Sequence, residues 1–80
     1  MAVPLTIYST QWCGYCHRLM KQLDREDVGY EVVDIEHDPV AAEFVMNVNG
    51  GNQTVPTVVF PDGSALTNPS LADVKQRLAG

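Results

Sequence analysis

Cys13 and Cys16 are the only two cysteines of the chain, and they stand two residues apart in the run Trp12-Cys13-Gly14-Tyr15-Cys16. That run lies where a β-type stretch, Leu5 to Thr10, gives way to a helical pattern. A thiol in the first turn of a helix meets unpaired backbone N–H groups and the positive end of the helix dipole, and both favour thiolate over thiol. Cys13 is therefore the candidate nucleophile. Two intervening residues let the sulfurs meet across one turn, so Cys16 can close onto Cys13 with little backbone movement. A bridge across so short a loop adds little stability, which makes reversible redox chemistry the better use of the pair.

The elements that position these sulfurs follow from hydrophobic period and turn residues. Leu5-Thr6-Ile7-Tyr8 reads as a strand. From Tyr15 to about Glu26, the apolar residues Cys16, Leu19, Met20 and Leu23 recur on one side of a helix, with Cys16 on the buried stripe. Gly29 marks a turn, and Tyr30-Glu31-Val32-Val33-Asp34-Ile35 is a second strand, parallel to the first through a right-handed helical crossover. Asp38-Pro39 is a helix start, and Val40, Ala41, Phe44, Val45 and Val48 continue at helical spacing to Asn49-Gly50-Gly51. Thr57 to Phe60, the turn Pro61-Asp62-Gly63-Ser64, and Ala65 to Thr67 predict a hairpin. A last helix starts at Asn68-Pro69, capped by Asn68, and carries Leu71, Val74 and Leu78 on one face.

Composition narrows the partners. Eighty residues with 45% apolar and 19% charged side chains form one small domain, 1–80, with enough material for a core. A net charge of −5 disfavours nucleic acid and anionic membranes. Arg18, Lys21 and Arg25 nonetheless follow the cysteines, as does His17. Arg18 and His17 are near enough to tune a thiolate, whereas Lys21 and Arg25 read equally well as a solvated helix face. Met1-Ala2-Val3-Pro4 shows no secretory pattern and no apolar run reaches spanning length, so a cytoplasmic setting is expected. In that reducing compartment a lone cysteine pair is catalytic or metal-binding more often than structural. Zinc needs four ligands, and beyond the cysteines only His17 and His37 offer themselves, so no metal site is expected.

The order β-α-β-α-β-β-α, with Cys-x-x-Cys after the first strand and Thr54-Val55-Pro56 before the third, resembles the thioredoxin fold in its minimal glutaredoxin form. That form is an α/β fold with a four-stranded mixed sheet flanked by three helices. The Trp12–Cys16 site is further similar to the mycoredoxin branch of that family. So are Val48-Asn49-Gly50-Gly51-Asn52, Thr54-Val55-Pro56-Thr57-Val58, Asp62-Gly63-Ser64 and Leu66-Thr67-Asn68-Pro69-Ser70. Mycoredoxins serve bacteria that use mycothiol in place of glutathione. The resemblance implies a thiol–disulfide oxidoreductase with Cys13 as nucleophile and Cys16 as a side-path resolving thiol. It also implies a cis Pro56 facing them, with the Val55 backbone free to bond a substrate as an added strand would. Trp12, Tyr15, Thr54, Val55, Pro56, Thr67 and Asn68 are the substrate-binding candidates. No tightly bound cofactor is implied. The resemblance implies mycothiol as co-substrate, mycothiolated proteins as partners and, indirectly, an NADPH-dependent mycothiol disulfide reductase, with a monomeric protein expected.

Departures from the pattern bear on substrate. Glutathione-using relatives commonly carry Lys three residues before the first cysteine and a Gly-Gly-x-Asp type segment before the last helix, where this chain has Thr10 and Leu66 to Ser70. Mycothiol is a sugar-based thiol lacking glutathione's two terminal carboxylates, so hydroxyl and amide groups at Thr67, Asn68 and Ser70 are suitable replacements for a charge clamp. Gly14 stands where Pro is usual, and in related glutaredoxins a small residue there is compatible with an iron–sulfur cluster bridging a dimer, which stays open. Two other readings compete. One is a thioredoxin-like or ribonucleotide-reductase-donating dithiol redoxin reduced by a flavoenzyme. The other is a c-type haem carrier through Cys13-Gly14-Tyr15-Cys16-His17, which needs export and a largely helical fold, whereas strand and helix are about equally represented here. Tyr8 and Phe60 read as core or strand residues, His37 as a loop histidine, and Asp34 and Glu36 as solvated.

Overall fold

A computed structural model describes residues 5–79, so the reading of Met1 to Pro4 lies outside the described residues. The elements run β1 (Leu5–Ser9), α1 (Gly14–Arg25), β2 (Tyr30–Asp34), α2 (Pro39–Val48), β3 (Thr57–Val59), β4 (Ala65–Thr67) and α3 (Leu71–Ala79). The strands form one mixed sheet in the order β2-β1-β3-β4. β1 lies parallel to β2, from Leu5 opposite Tyr30 to Ser9 opposite Asp34, and antiparallel to β3 with Ile7 opposite Val58. β3 and β4 close the hairpin, Val58 facing Leu66. The strands are short, so helix accounts for more of the chain than the even balance expected of it.

Alternation along β1 sends Leu5, Ile7 and Ser9 to one face and Thr6 and Tyr8 to the other. The first face packs Leu5, Ile7, Val58 and Phe60 against Leu19 and Leu23 of α1 and Val74 of α3. Full burial of a side chain such as Leu23 contributes about 1.5–3 kcal/mol. On the other face, Ala41, Ala42 and Val45 of α2 pack with Ile35, beside Tyr8, Val33 and Val55. Three helices therefore flank the sheet, α1 and α3 on one side and α2 on the other.

Two expectations are corrected. The apolar stripe of α2 is rotated: Val40 is 77% exposed, and Phe44 and Val48 are also open to solvent, while Ala41, Ala42 and Val45 face the sheet. Small alanines let the helix backbone approach closely, and Phe44 instead lies tilted against the Tyr8 ring, centroids 5.1 Å apart. The start of α3 also moves. Asn68 has φ 47°, which is left-handed and outside any helix, and its N–H donates to the Pro56 carbonyl at 2.7 Å. The cap is Ser70, whose Oγ accepts from the Asp73 N–H while the Asp73 carboxylate accepts from the Ser70 N–H, both at 3.1 Å.

Helix ends explain how the chain turns. Asp38 caps α2 by accepting from the Ala41 N–H at 3.1 Å, with Pro39 in the first turn. At its other end Gly50 takes φ 66° and the Gly51 N–H reaches back to the Met46 carbonyl at 2.7 Å, a Schellman closure. α1 closes in the same way, with Val28 N–H on the Leu23 carbonyl at 3.0 Å, but the left-handed residue there is Asp27 at φ 58°. Among the described residues no helix is long and apolar enough to cross a membrane.

Candidate active site

Cys13 is the residue that caps α1. Its backbone is extended, its N–H donates to the Thr10 carbonyl at 3.3 Å, and its Sγ accepts from the Cys16 N–H at 3.1 Å. A sulfur that receives a first-turn N–H occupies the place where a cap side chain satisfies a helix end, and negative charge on it strengthens that bond. Cys13 is partly exposed; Cys16, one turn on, is 0% exposed against the core. Burial foremost, and then the hydrogen bond and charge of Cys13, push the Cys16 thiol up to about 12. At neutral pH Cys16 is thus a protonated thiol, and both cysteines are free.

The Val55–Pro56 peptide, 42 residues further along, stands opposite and is cis. The Cys13 thiol donates to the Val55 carbonyl at 3.7 Å, a distance suited to sulfur. Val55 is half-buried, Pro56 buried and Thr54 exposed. Among the described residues, no other backbone group bonds the Val55 N–H or carbonyl.

Trp12 and Tyr15 flank the sulfur and point to solvent, 86% and 66% exposed. Tyr15 and Arg18 of α1 face Asn68, Pro69 and Ser70 across a cleft of about 320 Å³, floored by Leu19, Gln22 and Leu71. This joins Tyr15 and Asn68 in one surface. Thr67 sits at the end of β4, and its hydroxyl is taken by the Asn49 side chain. The His17 ring pairs with the Gln11 carbonyl at 3.1 Å. On the far side, Asp34 accepts from the Glu36 N–H and binds the His37 ring, both at 2.9 Å, and these contacts, the Glu36 bond foremost, hold its carboxyl below the usual range. Asp34 and His37 are thus a local pair rather than two independent solvated groups. Among the described residues no cluster of three or more His, Cys, Asp or Glu side chains forms.

Asn49 and Thr57, absent from the candidates read in the sequence, lie behind this surface. Asn49 Nδ2 donates to the Val45 carbonyl at 2.8 Å and to Thr57 Oγ1 at 3.1 Å, and the Thr57 hydroxyl donates to the Thr54 carbonyl at 2.8 Å. Asn-Gly-Gly reads in sequence simply as a helix stop, and nothing local tells that the Asn side chain turns inward.

A helix-capping sulfur, a buried partner one turn on and a cis-proline loop facing them on a four-stranded sheet are the arrangement of a thiol redoxin of thioredoxin fold. Comparison with known proteins narrows this. The Glutaredoxin family profile matches residues 5–64, and the chain belongs to that family of thiol–disulfide oxidoreductases. It is 62% identical over 74 residues to a Mycobacterium tuberculosis protein provisionally assigned as a glutaredoxin, spanning 92% of this chain and 88% of that one. It is 47% identical over 70 residues to mycoredoxin 1 of Corynebacterium glutamicum, spanning 88% and 86%. The crystal structure of an Archaeoglobus fulgidus glutaredoxin superposes with a TM-score of 0.78 at 28% identity, covering 100% of this chain and 89% of that one.

Proposed function

We propose that the protein reduces mixed disulfides formed between proteins and mycothiol, by a route that needs one thiol. The Cys13 thiolate attacks the mycothiol sulfur of the mixed disulfide; a Cys13–mycothiol disulfide forms and the protein thiolate leaves, taking a proton from solvent. A second mycothiol thiolate attacks the mycothiol sulfur of that intermediate, releasing mycothiol disulfide and restoring the Cys13 thiolate. Electrons return through an NADPH-dependent mycothiol disulfide reductase. Cys16 acts only on the side path, by displacing mycothiol to form the Cys13–Cys16 disulfide. The setting is the cytoplasm and the working species a monomer.

The observation that carries this reading is the contrast between the sulfurs. Cys13 is accessible and receives an N–H, whereas Cys16 is sealed in the core with its thiol held near 12. Disulfide exchange needs an attacking sulfur open to in-line approach, and of the two Cys13 is the one a substrate can reach. Preference for mycothiol is supported by the 47% identity to a mycoredoxin and by the cleft chemistry. Thr10 stands where a lysine would hold a carboxylate, and Asn68 and Ser70 offer amide and hydroxyl groups to a sugar. Trp12, Tyr15, Thr54, Val55, Pro56, Thr67 and Asn68 form the proposed contact surface, with the Val55 backbone pairing to an extended substrate.

The test is reduction of one model peptide carried as its mycothiol or its glutathione mixed disulfide, each with the matching thiol and reductase. Faster turnover of the mycothiol form is expected. Equal rates would remove the reason for preferring it, and activity only with a thioredoxin-type flavoenzyme would favour a two-thiol cycle.

A further inference from the structure

The Asn49 side chain joins three segments behind the site. Its Nδ2 bonds the last turn of α2 through the Val45 carbonyl and bonds β3 through Thr57 Oγ1. Thr57, fully buried, hands the connection on by donating to the Thr54 carbonyl, at the entrance of the cis-proline loop. Asn49 Oδ1 takes the hydroxyl of Thr67, next to Asn68. The Asn49 carbonyl in turn accepts from the Asn52 side chain at 3.3 Å. A second tie, Asn68 N–H to the Pro56 carbonyl at 2.7 Å, joins the same two stretches directly. The segment 54–56 and the segment 67–68 are therefore linked by the Asn68–Pro56 backbone bond, by the pairing of Thr57 with Thr67 where β3 meets β4, and by the side-chain relay through Asn49.

We infer that Asn49 is a positioning residue for substrate: it sets the spacing between the cis-proline loop and the 67–68 segment, and so the geometry in which a mixed disulfide is held beside Cys13. This rests on the reading that those two segments are the walls of the substrate site. Asn49 suits the task because one planar amide supplies two donors and an acceptor in fixed directions, and each is used on a different segment. Both partners on the β side are hydroxyls, and Thr57 passes the constraint on by donating as it accepts. The exposed loop 50–54 has little burial to hold it; the Gly51 N–H on the Met46 carbonyl fixes its start, and the Thr57 hydroxyl on the Thr54 carbonyl fixes its end. The sulfur is not itself a member of the network: it takes the Cys16 N–H and touches the 54–56 segment through the Val55 carbonyl.

This separation defines the experiment. Asn49→Ala and Thr67→Val are made singly and together, and each protein is assayed for mixed-disulfide reduction and for iodoacetamide alkylation of Cys13. Each single variant should raise KM roughly five- to tenfold, the loss of about one hydrogen bond's positioning, with kcat changed less. The double variant should be no worse than the worse single one, because both cut the same link. Alkylation of Cys13 should stay within about twofold of wild type, since a small reagent needs no walls. Thr67 is exposed, so Thr67→Val keeps the question open to test if Asn49→Ala fails to fold. Unchanged KM in Thr67→Val, additive losses in the double variant, or alkylation falling in step with turnover would overturn the inference. The substrate is whichever mixed disulfide the wild type reduces, so a failed preference for mycothiol leaves this test standing.

Discussion

The Cys16 backbone N–H donates to the Cys13 sulfur at 3.1 Å, while the Cys16 side chain is sealed against the core. One residue thus supports its partner through its main chain and withholds its own sulfur from solvent. Helical spacing causes both effects: Cys13 and Cys16 stand three residues apart on one side of the first turn, Cys13 at the open cap and Cys16 on the buried stripe below it.

Burial of Cys16 makes stability depend on alkaline pH. Its thiol is raised from an ordinary 9.0 to about 12, so between those values the unfolded chain gives up a proton that the folded chain keeps. Stability therefore falls as pH rises through that window, by up to about 1.4 kcal/mol per pH unit from this group. Serine does not titrate there. The stability gap between wild type and Cys16→Ser, measured by denaturant unfolding from pH 8 to 10.5, should shift steadily in favour of the variant as pH rises; a constant gap would contradict the burial of the thiol.

Asp27 occupies a left-handed position that glycine fills without strain, and it places a negative charge at the C-terminal end of α1. Asp27→Gly should stabilise the fold by about 0.5–1 kcal/mol. Thermal unfolding checks this, and a lower midpoint would mean that Asp27 has a role beyond the turn.

Ser70 and Asp73 cap α3 reciprocally. Ser70→Ala should cost about 1 kcal/mol, whereas Asn68→Ala, at a residue that does not cap, should leave the helical circular dichroism signal of the last helix intact. If Asn68→Ala proves the more damaging to helix content, the cap has been assigned to the wrong residue.

Much of this was legible in the sequence because it is carried by short-range rules. Period-two and helical patterns gave the seven elements, Asp38-Pro39 gave a helix start, and Cys-x-x-Cys at a strand-to-helix junction gave the sulfurs and their unequal burial. What escaped depends on tertiary geometry. The rotation of α2 follows from Ala41 and Ala42 fitting the sheet better than Val40 and Phe44, a packing choice that hydrophobic period does not encode. Asn68 and Ser70 are both good cap residues, and the pairing of the Asn68 N–H with Pro56, distant in sequence, decides between them. The Asn49 relay is invisible for the same reason, as its partners are 8 and 18 residues away.

The most direct measurement compares Cys13→Ser and Cys16→Ser in mixed-disulfide reduction under identical thiol and reductase conditions. Cys13→Ser should be inactive and Cys16→Ser should keep most of the wild-type rate, with mass spectrometry showing the small thiol carried on Cys13. Equal loss in the two variants would contradict the one-thiol account and require both sulfurs in the main cycle.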